Sequence, residues 1–168
     1  MKSYKEIVKP LDVIVVYNKT SWLHRIIAGV TKYRAGHVAL YVGDGMICEA
    51  GSKGVVRRPW KGYSSKHRIF IGRYLGLTEE QEIKMMYKCL ELEGNKYAYF
   101  QLFIILFQKI FGFSKAPDIS KRAMICSEQV AAVYESAELY LKKGKKPHEI
   151  TPADILNSEI LHFQEAKN

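Results

Sequence analysis

Three side chains in this 168-residue sequence have the types and settings of a thiol nucleophile with its base: Cys126, His37 and Glu49. Cys126 stands in KRAMICSEQVAAVYESAELYL, where an amphipathic helical pattern begins. A thiol at a helix N-terminus meets about half a positive charge, which favours the thiolate. Lys121 and Arg122 add to that field, and the first free backbone N–H groups offer donors to a developing oxyanion. His37 and Glu49 lie in HVALYVGDGMICEA, which reads as two strands around a tight loop at Gly43-Asp44-Gly45. A carboxylate beside an imidazole fixes the tautomer and stabilises the protonated ring, which is what a general base needs from an orienting partner. The remaining cysteines, Cys48 on an apolar strand face and Cys89 beside Leu90 in a helical stretch, read as packing residues.

The register of the hairpin decides whether His37 and Glu49 meet. A two-residue Asp44-Gly45 turn pairs Val42 with Ile47 and Leu40 with Glu49, which puts a carboxylate on the face of Val38, Leu40 and Val42. A three-residue Gly43-Asp44-Gly45 loop pairs Val42 with Met46, Leu40 with Cys48 and Val38 with Ala50, so one face is wholly apolar. Burying an unpaired carboxylate is costly, so the pattern selects the three-residue loop. The opposite face then carries His37, Ala39, Tyr41, Ile47 and Glu49, with Glu49 diagonal to His37 at roughly 7–8 Å between Cα atoms, within reach of long side chains.

Other elements must hold this hairpin against the Cys126 helix. Asp12–Tyr17 (DVIVVY) reads as a short buried strand, and Arg68–Tyr74 as another. Ser21–Val30 reads as a helix capped by Thr20 or Ser21. Thr78 opens a helix with a Thr78/Gln81 capping box, an apolar stripe of Ile83, Met86, Tyr87 and Leu90, and Gly94 at its end. Ser127–Leu141 reads as a second long helix presenting Val130, Val133, Ala137 and Leu141, and Thr151-Pro152 starts a short third one. Strands come first and helices mostly later, an α+β order in which an antiparallel sheet packs against helices. No repeat or linker interrupts the chain, so residues 1–168 read as a single domain. The segments 19–36, 53–66 and 97–120 are left as loops that shape a pocket, apart from the helix within the first and the apolar stretch Tyr97–Phe113, which reads as a buried helix too short to span a bilayer. No signal peptide is read at the N-terminus, so a cytoplasmic or phage-associated location is expected.

Composition narrows the classes further. The chain is 48% hydrophobic and 26% charged, which excludes disordered and collagen-like proteins. Three irregularly spaced cysteines exclude a disulfide framework, and no CxxC cluster is present. His24, His67, His148 and His162 show no metal-ligand spacing, so no zinc and no other cofactor is expected. The net charge of +9 concentrates in two runs. Lys53, Arg57, Arg58, Lys61, Lys66, Arg68 and Arg73 are interleaved by Trp60, Tyr63 and Tyr74, and Lys142, Lys143, Lys145 and Lys146 follow the Cys126 helix. An anionic polymer or a membrane surface is a partner that this charge admits. Specific nucleic-acid recognition is not expected, since no recognition motif appears. The oligomeric state is not legible.

HVALYVGDGMICEA, then ICSEQV, then EITPADILNS resembles the permuted NlpC superfamily of papain-like cysteine hydrolases, and most closely its YiiX-like branch. LDVIVVY resembles the opening strand of that branch, with Leu11 in place of its usual Gly and Asp12 kept. The resemblance spans Asp12 to Ser158. It implies a circularly permuted papain-like fold, with the histidine strand ahead of the cysteine helix. Carried over, Cys126 resembles the nucleophile, His37 the general base and Glu49 the third, polar residue. Tyr97 matches a Tyr of the family's Tyr-Asp pair and is implied as a substrate-pocket residue, although Ala98 lacks the carboxylate.

The implied activity is a cysteine peptidase or amidase that passes through a thioacyl intermediate, with the peptides of bacterial cell walls as the implied substrate class. Two alternatives stand beside it. The lecithin-retinol acyltransferase group looks like the same permuted fold and would imply a lipid acyltransferase or phospholipase, but it carries a second histidine where this chain has Glu49, and an Asn-Cys where this chain has Ile125-Cys126. The basic runs admit a non-catalytic binding module.

Overall fold

The computed structural model describes residues 3–18, 35–63, 66–97 and 123–166. The expected helix at Ser21–Val30, the field of Lys121 and Arg122, and the apolar segment beyond Tyr97 fall outside these residues. After a single helical turn, α1 (Tyr4–Ile7), come β1 (Val13–Asn18), β2 (His37–Gly43), β3 (Met46–Gly51), β4 (Gly54–Pro59) and β5 (His67–Arg73). Helix α2 (Glu79–Leu92) leads to the short strands β6 (Lys96–Tyr97) and β7 (Ala123–Met124), then to α3 (Cys126–Glu135), a 3-10 turn (Pro147–Glu149), α4 (Pro152–Leu156) and β8 (His162–Ala166). The larger sheet has the order β4-β3-β2-β1-β5-β8, with every neighbouring pair antiparallel.

The expected α+β architecture is therefore found, and the sheet is covered on both faces. Alternate residues of β1 divide between two cores, which is why its sequence is an unbroken apolar run. Val13 and Val15 join Val38, Leu40, Cys48 and Ala50 beneath Met85 and Cys89 of α2 and Val130, Val133 and Tyr134 of α3. Ile14 and Val16 join Ala39, Ile47, Ile69 and Ile71 on the other face, covered by Tyr4 and Trp60, whose rings lie 4.1 Å apart. Asp12, almost wholly buried, anchors the start of β1. Arg73 of β5 donates to it from Nε at 2.8 Å and from Nη2 at 2.6 Å, and the Lys9 amide donates at 2.7 Å.

The hairpin keeps the expected register beneath a different tip. Leu40 pairs with Cys48 and Tyr41 with Ile47, as the apolar pattern requires, but Gly43 pairs with Met46, and Val42 is accommodated as a bulge. The turn is thus the two-residue Asp44-Gly45, both at positive φ (50° and 69°). Asp-Gly is well suited to that primed turn, and the bulge reconciles its preference with the burial of one face.

Two helices depart from expectation. The capping box of α2 is present, with Thr78 Oγ1 accepting from the Gln81 amide at 3.2 Å and Gln81 Oε1 accepting from the Thr78 amide at 3.1 Å. However, α2 buries Met85, Cys89 and Leu92, while Ile83, Tyr87 and Leu90 face solvent. The helix carries two apolar stripes, and the narrower one, at spacing i, i+4, i+7, docks. Helix α3 ends at Glu135 rather than Leu141. Glu138 adopts φ 62°, its amide donates to the Glu135 carbonyl, and the Leu139 amide donates to the Tyr134 carbonyl. This is a Schellman closure with Glu at the left-handed position. No glycine marks it in the sequence, so the continuing apolar spacing overruns the true end. Residues 54–59, left as loop, form edge strand β4, and β8 is likewise a strand that the sequence reading lacks.

Candidate active site

Helix α3 begins at Cys126, which is 6% exposed. Glu128, three residues from the cap, reaches back to accept from the Ile125 amide at 3.3 Å, and Ser127 Oγ donates to the Ile150 carbonyl at 2.6 Å. The first turn is thereby fixed between the sheet and the 3-10 turn. From the sheet, His37 opens β2 and Glu49 lies within β3. His37 Nε2 donates to Glu49 Oε2 at 2.7 Å, which is the contact the selected register predicts. An ionised carboxylate only accepts, so Nε2 carries the proton and Nδ1 is the nitrogen left for the hydrogen bond between His37 and Cys126. All three sequence-derived residues are brought together.

The electrostatics describe an ion pair. Burial opposes the charged imidazole, but the Cys126 sulfur, by hydrogen bond and charge, and then Glu49 outweigh it and push His37 from 6.5 up to about 10. Burial also opposes the thiolate, but His37, followed by backbone hydrogen bonds from Val38 and Ser127, pulls the Cys126 thiol below its ordinary value. Burial opposes the Glu49 carboxylate too, yet His37 and then Arg58 hold it down from 4.5 to about 2. The arrangement therefore favours thiolate, imidazolium and carboxylate together at neutral pH.

Other site neighbours were less legible. Arg58 of β4, which entered the sequence reading only as a member of a basic run, donates from Nε to Glu49 Oε1 at 2.6 Å. Gly51 and Gly54 flank the turn between β3 and β4, and that punctuation was the available signal for the hairpin that delivers Arg58. Tyr63 is also close: burial, then the charge of Glu49, raises its hydroxyl above the ordinary range. Tyr97 of β6 pairs with Met124 of β7, two residues before Cys126; its side chain lies outside the described residues. Cys48 and Cys89 are free and buried, and they hydrogen-bond to each other. That contact, followed by burial, pushes the Cys89 thiol up, so it stays protonated as a packing group does.

The four arginines of the first basic run are each matched by a carboxylate. Arg57 pairs with Glu93, Arg58 with Glu49, Arg68 with Glu165 and Arg73 with Asp12. Lys145 of the second run pairs with Asp154. No helix among the described residues is long and apolar enough to cross a membrane.

No protein-family model matches the chain, and no curated protein matches it significantly. The fold is nonetheless similar to a solved one. The crystal structure of metalloprotein yiiX from Escherichia coli O157:H7 matches with a TM-score of 0.70 at 16% identity, covering 95% of this chain and 97% of that one. The chain thus has a YiiX-like α+β fold, and the resemblance to that branch is supported. A metal centre does not fit the described residues of this chain. Among them no group of three or more His, Cys, Asp or Glu side chains could hold an ion. At the site itself both Glu49 oxygens are engaged, by His37 and Arg58, which leaves two donors where zinc takes at least three protein ligands.

Proposed function

We propose that this protein is a cysteine hydrolase with a circularly permuted papain-like, NlpC-type fold, cleaving amide bonds in peptides of the cell-wall kind. The observation that carries the reading is the continuous chain from the Cys126 thiol through His37 to Glu49 at 2.7 Å. The Cys126 thiolate attacks the acyl carbon and forms the S–C bond. The backbone N–H groups of the first turn of α3 stabilise the oxyanion. His37 Nδ1 gives its proton to the departing amine as the C–N bond breaks, leaving a thioacyl enzyme. The ring then takes a proton from water, whose hydroxide expels the thiolate, and the product acid is released. Glu49 keeps the ring aligned and favours its charged form throughout.

The test pairs chemistry with substrate. Iodoacetamide should label Cys126 ahead of Cys48 and Cys89, with a midpoint well below that of a free thiol. Incubation with cell-wall muropeptides should release a new amine that Cys126→Ala does not release. Ordinary Cys126 reactivity, or hydrolysis unchanged in Cys126→Ala, overturns the reading. Fatty acid released from phospholipid vesicles in place of an amine would assign acyl-lipid chemistry to the same site.

A further inference from the structure

We infer that Arg58 is a positioning residue for this site, a fourth member that acts through Glu49 by holding the carboxylate edge-on to His37. The inference rests on the hydrolase reading above. Three adjacent strands of one sheet face converge here. Glu49 on β3 pairs with Val56 of β4, and Arg58 pairs with Ile47, so Arg58 lies diagonal to Glu49 on the same face as its partner residues. His37 reaches Glu49 from β2 on the other side. The two carboxylate oxygens are divided, with Oε2 taken by His37 Nε2 at 2.7 Å and Oε1 by Arg58 Nε at 2.6 Å. Arg58 is itself tethered, with Nη1 donating to the Pro59 carbonyl at 3.2 Å. A free glutamate has three rotatable bonds and swings between rotamers; one pinned at Oε1 presents Oε2 along a fixed line.

The charges run thiolate, imidazolium, carboxylate, guanidinium. Cys126, Arg58 and Tyr63 interact with the His37–Glu49 pair, and the charge of Glu49 also reaches the Cys48 thiol. This order gives Arg58 two opposite influences on the ring. Its charge alone repels the imidazolium, so removing only that charge raises the midpoint of His37. Its hold on Glu49 stabilises the imidazolium, so losing the hold lowers the midpoint. The sign of the change separates positioning from simple field.

The experiment uses Arg58→Met and Arg58→Lys in the full chain, with His37 titrated by ring 15N NMR and Cys126 by iodoacetamide alkylation across pH. Positioning predicts that Arg58→Met lowers the His37 midpoint and raises that of Cys126 by about half to one pH unit, a three- to tenfold loss of thiolate below the midpoint. Arg58→Lys should restore part of the shift. In a Glu49→Gln background Arg58→Met should no longer lower the His37 midpoint, and only the small rise from the lost repulsion should remain, because the hold acts through the carboxylate. A His37 midpoint that rises or stays in Arg58→Met, or an effect that persists in full without Glu49, overturns the inference. A wild-type Cys126 with an ordinary midpoint overturns the hydrolase reading instead.

Discussion

Replacing Glu49 with Gln tests the electrostatic core of the site while leaving its shape. Gln is nearly isosteric and can still offer its one oxygen to His37 Nε2, while its NH2 group cannot accept from Arg58 Nε, so the change removes the charge and the Arg58 contact but keeps the contact to the ring. The carboxylate is held from 4.5 down to about 2 in the fold, which at ~1.4 kcal/mol per pKa unit is on the order of 3 kcal/mol of preference for the ionised form. His37 is the larger favourable influence and Arg58 the next, so the larger share of that coupling belongs to the imidazolium. Coupling is reciprocal. Removing the charge should bring the His37 midpoint down from about 10 by about one to one and a half pH units, and raise that of Cys126 by a smaller amount. Ring 15N shifts read the first and the pH profile of iodoacetamide labelling reads the second, with buried Cys48 and Cys89 as internal controls. At neutral pH, kcat/KM on a cleaved peptide should fall about tenfold or more. If both midpoints stay where they are in the wild type, the carboxylate does not couple to the ring, and the reasoning fails.

Three further outcomes follow from the same interactions. The Glu49 carboxylate is depressed in the fold, so its contribution to stability is complete above 4.5 and is lost as pH falls towards about 2; thermal melts should show wild type losing more stability than Glu49→Gln across that window. Arg73→Met leaves the buried Asp12 carboxylate without its cation and should destabilise by about 3–5 kcal/mol in denaturant melts, whereas Asp12→Asn combined with Arg73→Met should cost less than the sum of the single changes. Gly54→Ala should lower Tm by about 5 °C or more, since its φ is +90° and a Cβ there would sit 2.3 Å from the Asn95 carbonyl oxygen; Gly51→Ala, with nothing near, is the matched control and should stay close to wild type.

The sequence disclosed the site better than it disclosed the surface. His37 and Glu49 could be brought together because strand alternation is a strict period of two and one face must be apolar, so a single register survived. Cys126 was legible from the onset of an amphipathic stretch. Arg58 was not, because its partner is set by a neighbouring hairpin whose strand, GVVRRP, is short, charged and closed by proline. Arg57, Arg68 and Arg73 look like one cationic run in the chain, yet each is matched by a carboxylate 36 to 97 positions away, and composition carries no information about such pairing. The buried face of α2 is not legible for a related reason: two apolar stripes share that helix, and only packing against α3 and the sheet decides which is buried. The end of α3 is not legible in the sequence because Glu138, not glycine, takes the left-handed turn.

The bulge at Val42 has a consequence for how the chain tolerates insertion and deletion. Regular pairing resumes at Tyr41 with Ile47 on one side of it and at Gly43 with Met46 on the other, so Val42 is the surplus residue of the ladder. Deleting it would leave an uninterrupted hairpin with the same Asp44-Gly45 turn and the same Leu40–Cys48 alignment. The hairpin tip thus acts as a length buffer: a residue gained or lost there is absorbed before it reaches the His37–Glu49 contact, whereas the same change between His37 and Leu40 would rotate the imidazole onto the opposite face.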